Sequence, residues 1–257
     1  MTTLSANLGF LWSELSLPDA IRAAAKANFA AVELHWPYEY DPNDIKATLD
    51  EVGLPVLGLN TRRGDLSKGE NGLSALVGRE VEARAAIDEA IDYAATIGAA
   101  NIHVMAGFAQ GLQAHHTFID NLRYASNKAA KYSITILIEP LNHYDAPYYF
   151  LSTSEQAKAI IEEVNLPNLK LMFDCYHLQL MEGDLCHRLA ALKDMIGHIQ
   201  IAAVPSRAEP DEGEIHYPFI FEALKKLGFT APIGAEYKPK TTTDAGLAWL
   251  NKLGITQ

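Results

Sequence analysis

Two alternating patterns run along the chain. Short apolar runs, dense in Val, Ile and Leu, are separated by longer segments whose apolar residues recur every three to four positions. The short runs predict strands at Leu4–Leu8, Ala31–Leu34, Val56–Asn60, Asn101–Met105, Ile134–Glu139, Leu169–Asp174, His198–Ile201 and Ile233–Glu236. The longer segments, such as PDAIRAAAKAN, GREVEARAAIDEAIDYAATIG, TFIDNLRYASNKAAKY and STSEQAKAIIEEVN, predict amphipathic helices. In the second, Val81, Ala85, Ile87, Ile91 and Ala94 read as the buried stripe. Asp19 after Pro18, and the run Ser152-Thr153-Ser154-Glu155, are helix-start signals. Gly98, Gly197 and Gly228 are placed where helices stop.

Eight strand–helix units in 257 residues, about 32 residues each, predict a parallel sheet with helices outside. At this length the units favour closure into one α/β (β/α)8 TIM barrel over residues 1–257. A doubly wound open sheet is the alternative, but no G-x-G-x-x-G follows the first strand. Thr61–Gly78 and Ala202–Pro218 lack periodicity and follow strands, on the barrel face where chemistry is built.

Composition then narrows the partners. There are 21 Lys plus Arg against 32 Asp plus Glu, a formal charge of −11, which disfavours polyanion and anionic-membrane binding. Cys175 and Cys186 form neither a disulfide framework nor a C-x-x-C pair. The start MTTLSANLGFLW lacks a basic region with a cleavage signal, and no apolar run approaches 18 residues, so the expected location is cytoplasmic.

Polar side chains close four of the apolar runs. Glu139 ends ITILIE, Asp174 ends LKLMFD, Gln200 lies in HIQIA and Glu236 ends IGAE. They occupy equivalent points of the fifth to eighth units, so a closed barrel brings them to one mouth. A single carboxylate there is ordinary solvated strand-end chemistry. Three carboxylates and an amide together would repel unless a cation shared them. Oxygen ligands favour Mg²⁺ or Mn²⁺, with Zn²⁺ as an alternative.

His177, three residues after Asp174, returns over the same mouth if a helix starts there. It reads as a substrate donor or proton carrier, and His103 in NIHVMAG as a similar substrate contact. Glu33 and Asp145 are weaker candidates for supporting contacts. His115 and His116 read as surface residues, and neither H-E-x-x-H nor a Cys/His zinc spacing occurs. Arg62 and Arg63 follow the third strand, Arg207 lies in VPSRAEP and Lys238 follows Glu236 by two. One of the adjacent arginines is expected to be a solvated loop cation, while Arg62, Arg207 and Lys238 are candidates to hold an anionic substrate group. A divalent cation chelated by neighbouring hydroxyl and carbonyl oxygens acidifies the C–H between them. Glu139 and Glu236 could then move a proton between adjacent carbons, which is aldose–ketose type isomerisation or epimerisation without a redox cofactor.

The blocks SANLGF, WPYEYD, GLSALVGREVEA, FIDNLRYA, IEPLNHYDAP, FDCYHLQLMEGDL, GHIQIA, EPDEGEIHYP and EYKPKTTTDAGLAWL cover almost the full length. With them the chain resembles the hydroxypyruvate isomerase family of xylose isomerase-like barrels. The resemblance implies a divalent metal on Glu139, Asp174, Gln200 and Glu236, with the two glutamates as the catalytic pair. It also implies substrate contacts at His177 and Arg207, a small anionic sugar acid as substrate, and a homo-oligomer. NTRRGD, GLSALVGRE, IHVMAG and EPDEGEI are similar to the 2-oxotetronate isomerase branch, whereas IEPLNHYDAP is nearer hydroxypyruvate isomerases, which form tartronate semialdehyde. Ala203 and Ser206 replace a family Asp and His, so those two contacts do not carry over. Related apurinic endonucleases need more histidines than this chain supplies, and Gln200 stands where one would be required. A non-catalytic sugar-acid sensor would leave two glutamates around one metal unexplained.

Overall fold

The computed structural model describes residues 2–255. Eight strands run parallel in chain order and close on themselves: β1 (Leu4–Asn7), β2 (Ala31–Leu34), β3 (Val56–Asn60), β4 (Asn101–His103), β5 (Thr135–Ile138), β6 (Leu169–Asp174), β7 (Ile196–Ile201) and β8 (Ile233–Ala235). Closure is made by the β1–β8 pairing, with Ser5 opposite Gly234 and Ala6 opposite Ala235. Outside lie α1 (Leu17–Lys26), α2 (Pro42–Val52), α3 (Glu80–Ile97), α4 (Gly111–Ala129), α5 (Ser154–Val164), α6 (Cys175–Met181), α7 (Leu185–Leu192) and α8 (Tyr217–Lys226). Two single turns, α9 (Thr243–Gly246) and α10 (Trp249–Lys252), follow the last strand. The accessible surface is 11207 Å², close to the ~11,000 Å² that size scaling predicts for a chain of this mass. Among the described residues no helix is long and apolar enough to cross a membrane.

The strands are buried on both faces, because helices cover one side and the barrel interior the other; the helix-facing side is apolar, while inward positions such as Ser5, Asn7, Glu33, His198 and Gln200 are polar. Val32, Leu34, Ile102, Ile136, Ile138, Ile199 and Ile201 are all buried. Local signals place the helices. Ser16 caps α1 by accepting from the Asp19 N–H at 3.3 Å, with Pro18 in the first turn. Thr153 does the same for α5 through the Gln156 N–H, and α3 ends on Gly98 in the left-handed region, φ 74°.

Two details depart from the sequence reading. Val81 (84%) and Ala85 are exposed, and the inward stripe of α3 runs instead through Ala83, Ala86, Ile87, Ala90, Ile91 and Ala94. Alanines win that face because their small side chains let a helix lie close to its neighbours. Gly197 stops no helix but lies within β7. A Cβ there would come within 2.7 Å of both the Leu137 and Lys170 side chains, so the adjoining strands demand glycine. The loops Thr61–Gly78 and Ala202–Pro218 leave the carboxyl ends of β3 and β7, the end that carries the site.

Candidate active site

Strand ends deliver the polar groups. Glu139 and Glu236 stand one residue beyond the last paired residues of β5 and β8, and Asp174 closes β6 directly opposite Gln200 of β7. All four are buried. Asp174 is also the N-cap of α6, its Oδ1 accepting from the Tyr176 N–H at 2.8 Å, and this turn swings His177 back over the mouth. The cavity above holds about 270 Å³, lined among others by Trp36, His103, Glu139, His177, Arg207 and Glu236. That is below the ~300–1,000 Å³ of drug-sized sites and suits a small polar molecule.

Arg207 organises the charge. Its Nη2 donates to Glu236 Oε2 at 2.6 Å and lies 3.7 Å from Asp174 Oδ2, while Nη1 reaches Asp145 Oδ2 at 3.4 Å. Phe10 and Tyr176 flank the guanidinium, each ring centre 4.9 Å away. The Arg207 backbone is left-handed, φ 56°, fixed by N–H donation to the Ala203 carbonyl and by acceptance from the Lys238 N–H. Asn7 and His35 also bond Glu236 Oε1, at 3.0 and 2.9 Å. Burial opposes ionisation of Glu236, yet Arg207 and then His35 hold its carboxyl far below the ordinary range.

Glu139 has the opposite surroundings. No donor bonds its Oε1, and burial, followed by the charges of Glu236 and Asp174, pushes its carboxyl well up. Burial likewise lifts Asp174 to about 7 despite Arg207. The two opposed glutamates therefore occupy environments that drive them apart, a pattern found where one group gives a proton and another takes it.

The donor set fits a cation. Glu139 Oε1, Asp174 Oδ2 and Gln200 Oε1 are all buried acceptors without a hydrogen-bond partner. Fully ionised, Glu139, Asp174 and Glu236 supply three negative charges against one positive charge from Arg207. The remainder of two is what one divalent ion would offset. Ligand-capable atoms of Glu139, Asp174 and His177 lie within 4.8 Å of one another. The imidazole is nevertheless better read as a donor. Asn142 turns its N–H (3.0 Å) and its Nδ2 (2.7 Å) to His177 Nδ1, while Asn142 Oδ1 accepts from the Tyr144 and Asp145 N–H groups. Nδ1 must then accept, which leaves the proton on Nε2, facing Asp174 Oδ2 at 3.6 Å and Glu139 Oε1 at 3.9 Å. Burial, then Arg207, lowers its pKa to about 3, so the ring is neutral. His103, lowered by burial to about 3, sits 3.4 Å from Glu139 Oε2.

The structure brings Lys238 to the cavity, and among the described residues its ammonium contacts no carboxylate. Arg62 is not brought there. It donates to Glu89 of α3 at 2.6 and 3.0 Å, lies 3.7 Å from Glu39 and stacks on Tyr38, because these partners are offered on the outer side of the β3 loop. Arg63 stacks instead on Trp36 at 3.9 Å. Asp145 anchors the outer side of Arg207 and accepts from the Tyr176 hydroxyl. His115 pairs with Glu163 on the surface.

Sequence reasoning missed His35, Asn7, Asn142 and His198. Their signals were present: Asn7 and His35 lie at or just beyond the ends of β1 and β2, and His198 is two residues from Gln200, on the same face of β7.

A family model described as a xylose isomerase-like TIM barrel matches residues 21–253. A 2-oxo-tetronate isomerase of Cupriavidus necator is 45% identical over 254 residues, covering 97% of this chain and 98% of that protein. A hydroxypyruvate isomerase of Escherichia coli is 40% identical over 256 residues, covering 98% and 99%. A solved Brucella melitensis structure described as an AP endonuclease of family 2 has a TM-score of 0.95 at 38% identity, covering 98% of this chain and 99% of that one.

Proposed function

Because the chain belongs to the xylose isomerase-like TIM barrel family and is an isomerase of that family, we propose that it interconverts a four-carbon 2-oxo acid and its 3-oxo isomer. The observation that carries this reading is the pair Glu139 and Glu236, on β5 and β8, lining one small cavity in opposite electrostatic surroundings. One glutamate takes the proton from C3, and the electron pair forms an enediolate across C2 and C3. Proton delivery to C2, with transfer of the hydroxyl proton from O3 to O2, leaves the carbonyl at C3. Lys238 offsets the substrate carboxylate, and the Nε2–H of His177 donates to a substrate oxygen. Arg207 holds Glu236 in place, and His103 supports Glu139.

Glu139, Asp174, Gln200 and Glu236 would hold a divalent cation, Mg²⁺ or Mn²⁺, on the strength of the unpartnered buried oxygens of the first three and the charge balance of the set. When bound, such an ion supplies polarisation of the substrate's carbonyl and hydroxyl oxygens. Treatment with EDTA is expected to lower activity, and Mg²⁺ or Mn²⁺ to restore it. Ion binding must displace the protons that burial keeps on Asp174 and Glu139 near neutrality. Calorimetric affinity for Mn²⁺ should therefore fall roughly tenfold between pH 8 and pH 6 through Asp174 alone, and further through Glu139. A pH-independent affinity would remove these two carboxylates as ligands.

The function itself is tested with a panel of three- and four-carbon 2-oxo hydroxy acids, followed by NMR in deuterated water. We expect the four-carbon acid to be turned over best, with deuterium entering the product. A preference for hydroxypyruvate would move the chain to the other branch, and turnover without deuterium would replace proton transfer by a hydride shift. An abasic-site duplex should remain uncut, since the neutral, Asn142-fixed His177 and the acidic surface offer neither a histidine-rich metal cluster nor a phosphate track. Cleavage would make the protein a nuclease.

A further inference from the structure

Beneath the mouth lies a second polar layer that the reaction does not touch. Glu33 of β2 is buried inside the barrel, where three side chains donate to its two oxygens and the His198 ring lies beside one of them. The Ser5 hydroxyl donates to Oε1, and His198 Nε2 lies 3.1 Å from the same atom. Asn7 Nδ2 donates to Oε2 at 3.3 Å and Gln200 Nε2 to Oε2 at 2.8 Å. Such a set makes Glu33 an acceptor towards every neighbour. The barrel is shaped to admit it: at Gly234 of β8, a Cβ would meet Glu33 Oε1 at 2.4 Å and Gln200 Cγ at 2.7 Å. Any other residue at this point would drive the acid and the amide apart.

We infer that Glu33, backed by His198, is a positioning residue that fixes which end of the Gln200 amide is free. A glutamine amide can turn over with little change in shape, exchanging a ligand oxygen for an NH₂ that no cation accepts. Against Glu33 only one orientation is allowed, because the turned form would set the Gln200 oxygen against a carboxylate oxygen. The nitrogen is therefore committed to Glu33, and Oε1 is the atom left without a partner. His198 Nε2 faces the other oxygen of Glu33 at 3.1 Å, so the acid is held between the imidazole and the Gln200 amide and cannot turn away from it. Asn7 is locked by the same logic: its Oδ1 accepts from the Gly9 N–H, turning its Nδ2 to Glu33 and Glu236 and joining the two layers.

This inference rests on the proposal that Gln200 is a metal ligand, and the experiment separates the two. Mn²⁺ binding is measured by calorimetry on the parent, on Glu33→Gln and on the double variant E33Q/Q200E, with circular dichroism confirming the fold. In the double variant the hydrogen bond between positions 33 and 200 is kept with donor and acceptor exchanged, and position 200 carries an oxygen whichever way it turns. We expect Glu33→Gln to weaken Mn²⁺ binding about 10–100-fold, and the double variant to bind within about threefold of the parent or tighter. A folded Glu33→Gln that binds Mn²⁺ like the parent overturns the inference and leaves the metal site standing. Should Glu33→Gln not fold, the folded double variant decides: retained binding supports the inference and lost binding overturns it. A parent that binds no Mn²⁺ overturns the metal reading itself, and this inference with it.

Discussion

Glu139→Gln is expected to lose about 10²–10⁴-fold in kcat, the range for removing a general acid–base group, while melting close to the parent. The two effects separate because of how Glu139 is housed. Its Oε1 bonds to nothing, and its charge is opposed by burial, Glu236 and Asp174, so glutamine forfeits no hydrogen bond and relieves repulsion. Glu236→Gln should lose turnover similarly but melt lower, because Glu236 is bonded by Arg207, His35 and Asn7. Steady-state kinetics and thermal melts on both variants check this. Turnover of Glu139→Gln within about threefold of the parent, in folded protein, would remove Glu139 from the chemistry.

Arg207→Gln is expected to destabilise the fold by ~3–5 kcal/mol, the usual cost of leaving buried charges without their partner. For a chain of this size that lowers Tm by roughly 6–20 °C. The side chain is only 11% exposed and sits among Glu236, Asp174 and Asp145. Its effect should depend on pH in a definite direction. Arg207 depresses the folded-state pKa of Glu236, so its stabilisation is present above the ordinary carboxylate value and is lost as pH falls through the depressed one. In Arg207→Gln the same carboxyl is raised by burial, which makes its ionisation a cost above about pH 4.5. The Tm difference between parent and variant should be widest near pH 7 and shrink towards pH 4. Added Mn²⁺ should narrow it at pH 7 by replacing the missing positive charge. A constant difference across pH would show that Arg207 contributes packing against Phe10 and Tyr176 rather than charge.

The barrel was readable because its two periods differ. A strand buried on both faces reads as a short, largely apolar run, a helix on its surface must alternate every three to four residues, and eight repeats of that contrast leave few other architectures. The acidic strand ends were readable for a related reason: a carboxylate terminating ITILIE or LKLMFD has no apolar surface left to cover. Reading failed where two neighbouring residues had equal claims. Arg62 and Arg63 are interchangeable in a string, yet Glu89 and Glu39 capture the first and Trp36 stacks on the second. Val81 was the more hydrophobic choice for α3, but close packing selected the alanine face. His35 and His198 carried a positional signal but no visible role, because their partners, Glu236 and Glu33, are 201 and 165 residues away along the chain.

What the chain determined locally was therefore the list of elements and the chemical types at their ends, since periodicity, caps and burial depend on near neighbours. Tertiary structure alone decided which oxygens are free. Closing β1 onto β8 puts Gly234 beside Glu33, Glu33 beside Gln200, and Arg207 against Glu236. Whether a carboxylate holds or releases its proton, and which end of an amide is exposed, depends on these contacts between distant segments. Burial strengthens each of them, because a low-dielectric interior screens charge less than bulk water does and makes a missing donor costly.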